Sequence, residues 1–201
     1  SNKLLSWLKS PFIEFSNAQN FSGDNDSYYS TRMIDTNGKL YTWGYNGYGQ
    51  LGDNSTSNDY YAKQMPMSRV GNEKIIYICD SGYYYTSVYA ITESGKLWSW
   101  GRNGNGQLGI GNTTDQTTPQ EMTAVSGSPI ENKKVVHVIA NQDGDDEGKV
   151  WILTDEGKVY FAGYHGHAYG ASGGVYESSP NRKEIPVIHT KEFKGISTFI
   201  F

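Results

Sequence analysis

Two turns rich in aspartate carry the side chains whose chemistry is easiest to name. Asp24 and Asp26 form one Asp-x-Asp pair, and Asp143 and Asp145 form another at the same place in a later repeat of the chain. Clustered carboxylate oxygens are the ligands that Ca²⁺ prefers, so the two turns are a candidate calcium site. Neither turn has the distal glutamate of a complete calcium-binding loop, and the alternative is that these acids are solvated turn residues. We otherwise expect no cofactor.

The histidines and the single cysteine offer little further chemistry. His165 and His167 alternate, a spacing that presents two imidazoles to zinc, but no third ligand is evident. Cys79 lies in an apolar run, and we interpret it as a small buried hydrophobe. The sequence shows no nucleophile elbow, no zinc-protease helix and no pair of catalytic carboxylates. We therefore expect that the chain is not an enzyme.

Tyrosines in or beside predicted loops are the better candidates for a functional surface. The chain has 16 tyrosines and 24 glycines, and tyrosine mixed with Ser, Gly and Asn is typical of recognition surfaces. The alternative is that several of these rings pack between structural elements. Loop positions that differ between repeat copies are where we expect a partner to bind. The candidate binding residues are Tyr45, Tyr48, Arg102, Asn105, Tyr164, His167, Tyr83 and Tyr84.

A repeated segment must position these residues. Residues 38–52 read Gly-Lys-Leu-Tyr-Thr-Trp-Gly-Tyr-Asn-Gly-Tyr-Gly-Gln-Leu-Gly, and residues 95–109 are identical at 11 of 15 positions. A third copy begins at Gly157 and lacks the Gly-Gln-Leu-Gly ending. Such repetition indicates a repeat architecture. We expect Asn46 and Asn103 to hydrogen-bond the loop backbone, and the Gln-Leu pairs to anchor each loop to the core.

Each copy predicts four short strands. A composition rich in Gly, Asn, Ser and Tyr and poor in Ala, Leu and Glu favours β structure. Runs such as residues 150–153 are apolar on both faces, which predicts sheets buried on both faces. Radially stacked four-stranded sheets satisfy this requirement. We predict an all-β fold of about three β-propeller-type blades, with a lead-in at residues 1–11, blade 1 at 12–67, blade 2 at 68–125, blade 3 at 126–190 and the start of a fourth blade at 191–201.

The two full copies resemble the repeat of the regulator-of-chromosome-condensation family, which runs roughly Gly-x-Val-Tyr-x-Trp-Gly-x-Asn-x-x-Gly-Gln-Leu-Gly. The resemblance implies four-stranded blades that close into a ring. About three units are too few to close it, so we expect an incomplete or open ring, as in a fragment of a larger propeller or assembly. Neighbouring repeats or subunits are then needed to cover the open blade faces, because exposed edges and apolar faces favour aggregation.

The resemblance also implies a binding role without catalysis. We expect a module that binds a protein or another macromolecule through rim loops. A carbohydrate-binding surface, which uses the tyrosines and a cation, is the alternative. The best-known family member is an exchange factor for a small nuclear GTPase and binds nucleosomes. The net charge of −4 and the absence of a basic tail make a GTPase exchange factor or chromatin binder the less expected function, and the charge also argues against a nucleic acid partner.

Composition also bears on the setting of the protein. No apolar run reaches the roughly 18 residues of a membrane-spanning helix, so we expect no membrane insertion. The chain is rich in Asn, Tyr and Gly and has one cysteine, a composition that suits a virion appendage or a bacterial surface protein. We expect a virion or extracellular location rather than a nuclear one.

Overall fold

The computed structural model describes residues 12–16, 29–82, 85–143, 147–164 and 175–177. These residues form three antiparallel four-stranded sheets, the blades, and in each the strands lie side by side in chain order. Among the described residues no helix is long and apolar enough to cross a membrane. Blade 1 contains β1 (Phe12–Ser16), β2 (Ser30–Asp35), β3 (Leu40–Gly44) and β4 (Asp59–Gln64). Blade 2 contains β5 (Ile75–Asp80), β6 (Ser87–Thr92), β7 (Leu97–Gly101) and β8 (Gln116–Glu121). Blade 3 contains β9 (Val135–Asp143), β10 (Glu147–Thr154), β11 (Val159–Gly163) and β12 (Tyr176–Glu177).

The predicted all-β fold of three four-stranded blades is confirmed. Strands of blade 1 contact blade 2, strands of blade 2 contact blade 3, and the described residues form an open ring. Two short 3₁₀ turns, Met67–Val70 and Met122–Ala124, follow the fourth strands of blades 1 and 2, and the sequence pattern did not predict them. The lead-in at residues 1–11 and the fourth blade at 191–201 lie outside the described residues.

Glycine is required where the third strand of a blade ends. Gly44 and Gly101 have φ angles of 104° and 93°, in the left-handed region that side chains disfavour. A Cβ atom on Gly101 would also lie 2.4 Å from the carbonyl oxygen of Thr86. That same oxygen accepts a hydrogen bond from the backbone N–H of Arg102 at 3.0 Å. The glycine after Trp43 and Trp100 therefore lets the chain leave the sheet while its neighbour stays bonded to it.

The hydrophobic core is divided into two clusters, each lying between two blades. This arrangement follows from the repeat, since one sheet cannot bury both of its faces alone. The cluster between blades 1 and 2 contains Ile34, Leu40, Met65, Val70, Ile75, Ile78, Val88, Ala90 and Trp100. The cluster between blades 2 and 3 contains Tyr89, Ile91, Leu97, Met122, Ile130, Val135, Val138, Val150, Ile152, Tyr160, Ala162 and Val175.

Burial on both faces holds for the middle blade but not for blade 3. Every residue of β6 is buried, because Val88 and Ala90 face blade 1 while Tyr89 and Ile91 face blade 3. In blade 3, residues 150–153 were expected to be buried on both faces, and this prediction is wrong for half of them. Trp151 and Leu153 are only half-buried, because strand alternation turns them away from blade 2.

A buried ion pair crosses the first interface between blades. Arg32 of β2 is fully buried, and its Nη1 lies 2.8 Å from Oδ2 of Asp80 at the end of β5. Its Nη2 donates to the Ser30 hydroxyl at 2.8 Å. Cys79, next to Asp80, is half-buried rather than buried, and its Sγ lies 3.6 Å from the Val138 carbonyl oxygen in blade 3. Polar as well as apolar contacts therefore fix each blade against its neighbour.

Candidate binding rim

The long glycine loops lie at one end of the blades. In an antiparallel meander, the connection after the first strand and that after the third share one end of the sheet, and the connection after the second lies at the other. Residues 45–58, 81–82, 85–86 and 102–115 therefore form one edge of the described structure, which we call the top rim. The turns at residues 36–39, 93–96 and 155–158 form the opposite edge, the bottom rim.

A buried asparagine organises each glycine loop. The Oδ1 atom of Asn46 accepts the backbone N–H of Leu51 at 2.9 Å, and its Nδ2 donates to the carbonyl oxygens of Ser55 and Ser57 at 3.0 and 3.1 Å. Asn103 repeats these contacts in blade 2. Both side chains are completely buried. The prediction that these asparagines bond the loop backbone is confirmed.

The glutamine of each loop connects it to the sheets. Gln50 accepts the backbone N–H of Tyr48 through its side chain at 2.8 Å. Its carbonyl oxygen accepts Nη2 of Arg32 at 3.1 Å and Nε1 of Trp100 at 3.0 Å. Gln107 is bonded in the same way, with the Tyr89 hydroxyl donating to its carbonyl at 2.9 Å. The residues that are identical in the two repeat copies thus build a rigid loop.

Residues at loop positions that differ between the repeat copies form an aromatic and cationic cluster on the top rim. The rings of Tyr45 and Tyr48 pack edge to face with centroids 6.4 Å apart, and the Tyr48 and Tyr85 centroids are 5.3 Å apart. The Arg102 guanidinium lies over both the Tyr48 and the Tyr85 rings, 5.2 and 5.4 Å from their centroids. We call Tyr45, Tyr48, Tyr85 and Arg102 the rim cluster. Three separate loops from two blades supply it.

The rim cluster is partly exposed, and its cation lies beside a carboxylate. The Arg102 Nη1 atom lies 3.4 Å from Oδ2 of Asp115, and these two side chains are 23% and 32% exposed. Glycines leave room for the large side chains: a Cβ on Gly47 would lie 2.1 Å from the Tyr45 hydroxyl, and one on Gly104 would lie 2.7 Å from Nη2 of Arg102. The Asn-Gly step therefore lets Tyr45 and Arg102 fold back over their own loops.

A smaller version of this arrangement lies where blade 2 meets blade 3. Asn105 takes the place of Tyr48, and its backbone N–H donates to Oε1 of Gln107 at 2.9 Å. Tyr164 takes the place of Arg102, and Nζ of Lys149 lies 5.9 Å from its ring centroid. A cation and a ring thus meet here as well, but both belong to blade 3.

The structure brings only some of the predicted binding residues together. Tyr45, Tyr48 and Arg102 form one cluster, whereas Asn105 and Tyr164 belong to the next interface. The other predicted binding residues lie outside the described part of the chain, and they are Tyr83, Tyr84 and His167. Tyr85 was not among the predicted binding residues, and it lies in the loop before β6, which begins at Ser87. No sequence signal indicated Lys149 or Asp115.

Most of the candidate calcium site lies outside the described residues. Asp143 ends β9, and its backbone pairs in register with that of Glu147 in β10. Asp24, Asp26, Asp145 and both histidines of the candidate zinc pair fall outside the described residues. Within the described ranges, no group of three or more His, Cys, Asp or Glu side chains lies close enough together to bind a metal ion.

A polar pocket of about 210 Å³ opens at the bottom rim between blades 2 and 3. One of its lining charges pairs with a residue beside the pocket: Nζ of Lys96 lies 3.0 Å from Oε1 of Glu73. The hydroxyl of Ser94, with a smaller contribution from Lys96, lowers the pKa of Glu73 to about 2, and Glu73 in turn raises the pKa of Lys96. Neither group therefore titrates near neutral pH. The pocket is lined by Ser94, Gly95, Lys96, Glu121, Thr123, Asn132, Lys133 and Lys134.

Comparison with known proteins points to one repeat family. The family described as "Regulator of chromosome condensation (RCC1) repeat" matches residues 37–88 and 94–142, together half of the chain. The chain is 29% identical over 126 residues to the ultraviolet-B receptor UVR8 of Arabidopsis thaliana. The aligned region covers 63% of this chain and 27% of UVR8. It is 35% identical over 95 residues to the mitochondrial RCC1 domain-containing protein RUG3 of the same plant. This aligned region covers 47% of this chain and 20% of RUG3.

The fold also resembles that of yeast RCC1 (Prp20), solved in complex with Kap60. The TM-score is 0.51 at 21% identity, over 76% of this chain and 29% of that chain. At this identity the likeness shows the fold alone. The chain spans less than a third of the length of each of these three proteins.

The expected virion or extracellular location is wrong. The relatives are a plant ultraviolet-B receptor, a mitochondrial plant protein and a yeast protein crystallised with Kap60. The composition misled because its glycines and asparagines serve the blade loops, as Gly101 and Asn103 show. The family match over half of the sequence agrees with the three blades and their shared loop contacts. The chain therefore belongs to the regulator of chromosome condensation (RCC1) repeat family.

Proposed function

We propose that this chain is a non-catalytic module that binds a protein partner through the top rim. The observation that carries the proposal is the rim cluster, in which the guanidinium of Arg102 lies over the rings of Tyr48 and Tyr85. Tyrosine and arginine dominate the energetic centres of protein interfaces. We expect the partner to pack apolar side chains on the rings and to bring a carboxylate to Arg102.

The rigidity of the loops supports this proposal. Binding is weakened when side chains and loops must be ordered at the moment of association. Here the loops are already fixed by the buried side chains of Asn46 and Asn103 and by the bonds of Gln50 and Gln107. Arg102 is likewise held by Asp115 and by two rings. The cluster can therefore contact a partner with little loss of conformational entropy.

The comparisons favour a protein over a glycan. Yeast RCC1, which shares the fold, was crystallised bound to another protein, Kap60. The rim cluster also combines a cation with aromatic rings, a pairing suited to acidic and apolar peptide side chains. The carbohydrate alternative uses the tyrosines and a cation at the acidic turns, and three of the four aspartates of those turns lie outside the described residues. It remains an outcome of the experiment below.

Selection from a displayed peptide library tests this function. The full chain is immobilised and selected against the library, and each enriched peptide is then measured against the variant Y48A/R102A. We expect affinity to fall at least about tenfold, the loss typical of a central interface residue. A parallel glycan array tests the alternative.

A matched variant distinguishes the rim cluster from exposed tyrosine in general. Tyr61 on β4 is 80% exposed and lies outside the rim cluster, so we expect Y61A to bind the selected peptides as well as the parent chain does. Circular dichroism and thermal unfolding confirm that both variants are folded. The proposal fails if the peptides bind Y48A/R102A unchanged, or if only the glycan array gives a signal.

A further inference from the structure

The pocket at the bottom rim takes its walls from two blades. Blade 2 supplies Lys96 in the turn between β6 and β7 and Glu121 at the end of β8. The segment that leads into β9 of blade 3 supplies Asn132 and Lys134. The volume of about 210 Å³ would hold about seven water molecules. This is room for a small molecule with a few functional groups, and it is too little for a drug-sized ligand.

Lys134 crosses from blade 3 towards blade 2 at this pocket. A Cβ on Gly95 would lie 2.3 Å from Cγ of Lys134 and 3.3 Å from its Cβ, so the lysine side chain passes over the glycine where a larger residue would block it. The described residues supply no carboxylate within ion-pair distance of its ammonium group. Lys134 therefore brings to the pocket a positive charge that no described acid neutralises.

The other lining charges have bonding capacity left. Nζ of Lys96 lies 3.0 Å from Oε1 of Glu73 and 3.9 Å from Oε2 of Glu121, and the Lys96 side chain is still 42% exposed. Oε1 of Glu121 accepts the Thr123 hydroxyl at 3.1 Å. An ammonium group has three donors, and a carboxylate has two oxygens with several acceptor sites. The pocket thus combines Lys134 with a second ammonium group and with a carboxylate that can each bind a further group.

The equivalent place between blades 1 and 2 provides a matched lysine. A Cβ on Gly38 would lie 2.6 Å from Cβ of Lys74, so Lys74 passes over its turn glycine as Lys134 does. Gln64 holds the position of Glu121 in the register of the outer strand, so the side chain there is neutral. A substitution at Lys74 therefore measures the effect of surface charge without changing the pocket.

We infer that the pocket at the bottom rim binds a small hydroxylated phosphate monoester, of the class of glycerol phosphate and the sugar phosphates. The phosphate pairs with the ammonium groups of Lys134 and Lys96 and accepts the side-chain amide of Asn132, while hydroxyl groups of the ligand donate to Glu121. Lysine binds phosphate as a point charge, whereas planar carboxylates favour arginine. The lining holds three lysines and, among the described residues, no arginine. This site lies at the opposite rim from the rim cluster and is independent of the proposed function.

Glycerol 3-phosphate is the probe. The full chain is labelled with ¹⁵N, and the backbone amide resonances of Gly95 and Lys134 are followed as the probe is added. We expect both to shift saturably, with a Kd below about 1 mM. Lys134→Gln should raise the Kd at least about tenfold, because it removes a charge-assisted contact with the phosphate. Lys74→Gln is the control and should change the Kd less than about twofold, since salt screens distant surface charges.

Two further probes identify the source of the phosphate. Inorganic phosphate lacks the glycerol hydroxyls, and a phosphoserine peptide carries its phosphate on a protein segment. Both should bind at least about fivefold more weakly than glycerol 3-phosphate, the effect of one or two hydrogen bonds. Glu121→Ala should abolish this preference, because it removes the acceptor of the hydroxyls.

Three results would overturn the inference. The first is that the Gly95 and Lys134 resonances do not respond to millimolar glycerol 3-phosphate. The second is that Lys134→Gln and Lys74→Gln weaken binding equally, which would indicate attraction to surface charge alone. The third is that the phosphoserine peptide binds more tightly than glycerol 3-phosphate, which would assign the pocket to a modified protein. The amide spectra also show whether each variant is folded.

Discussion

Arg32 and Asp80 form a buried ion pair between blades 1 and 2, with side chains 0% and 4% exposed and atoms 2.8 Å apart. At the interface between blades 2 and 3, the equivalent positions hold Tyr89 and Ala140. The Tyr89 hydroxyl reaches the carbonyl of Gln107 as the Arg32 guanidinium reaches that of Gln50. The same contact with the loop is thus made once with a charged pair and once with a neutral ring.

This difference between the two interfaces predicts how stability changes when Arg32 and Asp80 are replaced by the residue types of the second interface. Asp80→Ala leaves the buried Arg32 without its partner, and we expect a loss of about 3–5 kcal/mol in the free energy of unfolding. Arg32→Tyr combined with Asp80→Ala copies the second interface and should recover most of that loss, since no atom of the described residues accepts a hydrogen bond from Nε of Arg32. Urea unfolding of the parent chain and the two variants measures both values. Equal destabilisation of both variants would contradict the equivalence of the interfaces.

The loop asparagines should matter far more than exposed ones. Asn103→Ala removes the acceptor of the Leu108 N–H and the donor to two loop carbonyls. Because these groups are left buried and unpaired, we expect unfolding to become easier by about 2–4 kcal/mol. The exposed Asn37→Ala is the control and should change stability by less than about 0.5 kcal/mol. Chemical denaturation compares the two, and similar small effects would show that the loop is not held by Asn103.

Substitutions at two glycines distinguish the cost of a steric clash from the cost of backbone strain. Gly101 and Gly111 both have positive φ angles, 93° and 83°. A Cβ on Gly101 meets the Thr86 carbonyl at 2.4 Å, whereas one on Gly111 meets no atom within 4 Å. We expect Gly111→Ala to cost about 1 kcal/mol from strain alone, and Gly101→Ala to cost at least about 2 kcal/mol more, because the backbone must move. Thermal unfolding of both variants gives the difference, and equal costs would rule out the clash.

His137 should make stability depend on pH. Burial lowers the pKa of this half-buried imidazole below its usual 6.5, and its ring packs 5.0 Å from that of Tyr77. The folded state therefore binds a proton less readily than the unfolded state. This contribution to stability is complete above pH 6.5 and declines as pH falls towards the folded-state pKa. The unfolding free energy, measured by urea titration from pH 7.5 to 5.5, should fall more steeply for the parent chain than for His137→Gln. Identical slopes would refute this role.

The predictable parts of the fold are those that depend only on residues close together in the sequence. The repeated segment specified the strands, the turn glycines and the loop bonds of Asn46, because local backbone geometry dictates those residue types. The partial burial of Trp151 was not predictable, since it depends on whether a blade has a neighbouring blade on each face. Arg32 gave no sign of burial, because an arginine in an alternating strand normally faces solvent. Tyr85 joined the rim cluster only through contact with loops distant in sequence.

Hydrogen exchange on a selected peptide complex tests binding through the top rim most directly. We predict slower exchange of backbone amides at residues 45–49, 85–87 and 102–106 when the peptide is bound, since these segments carry or flank the rim cluster. Exchange at the bottom-rim turns, residues 93–96 and 155–158, should not change. Protection confined to the bottom-rim turns, with unchanged exchange around Tyr48 and Arg102, would contradict the proposed function.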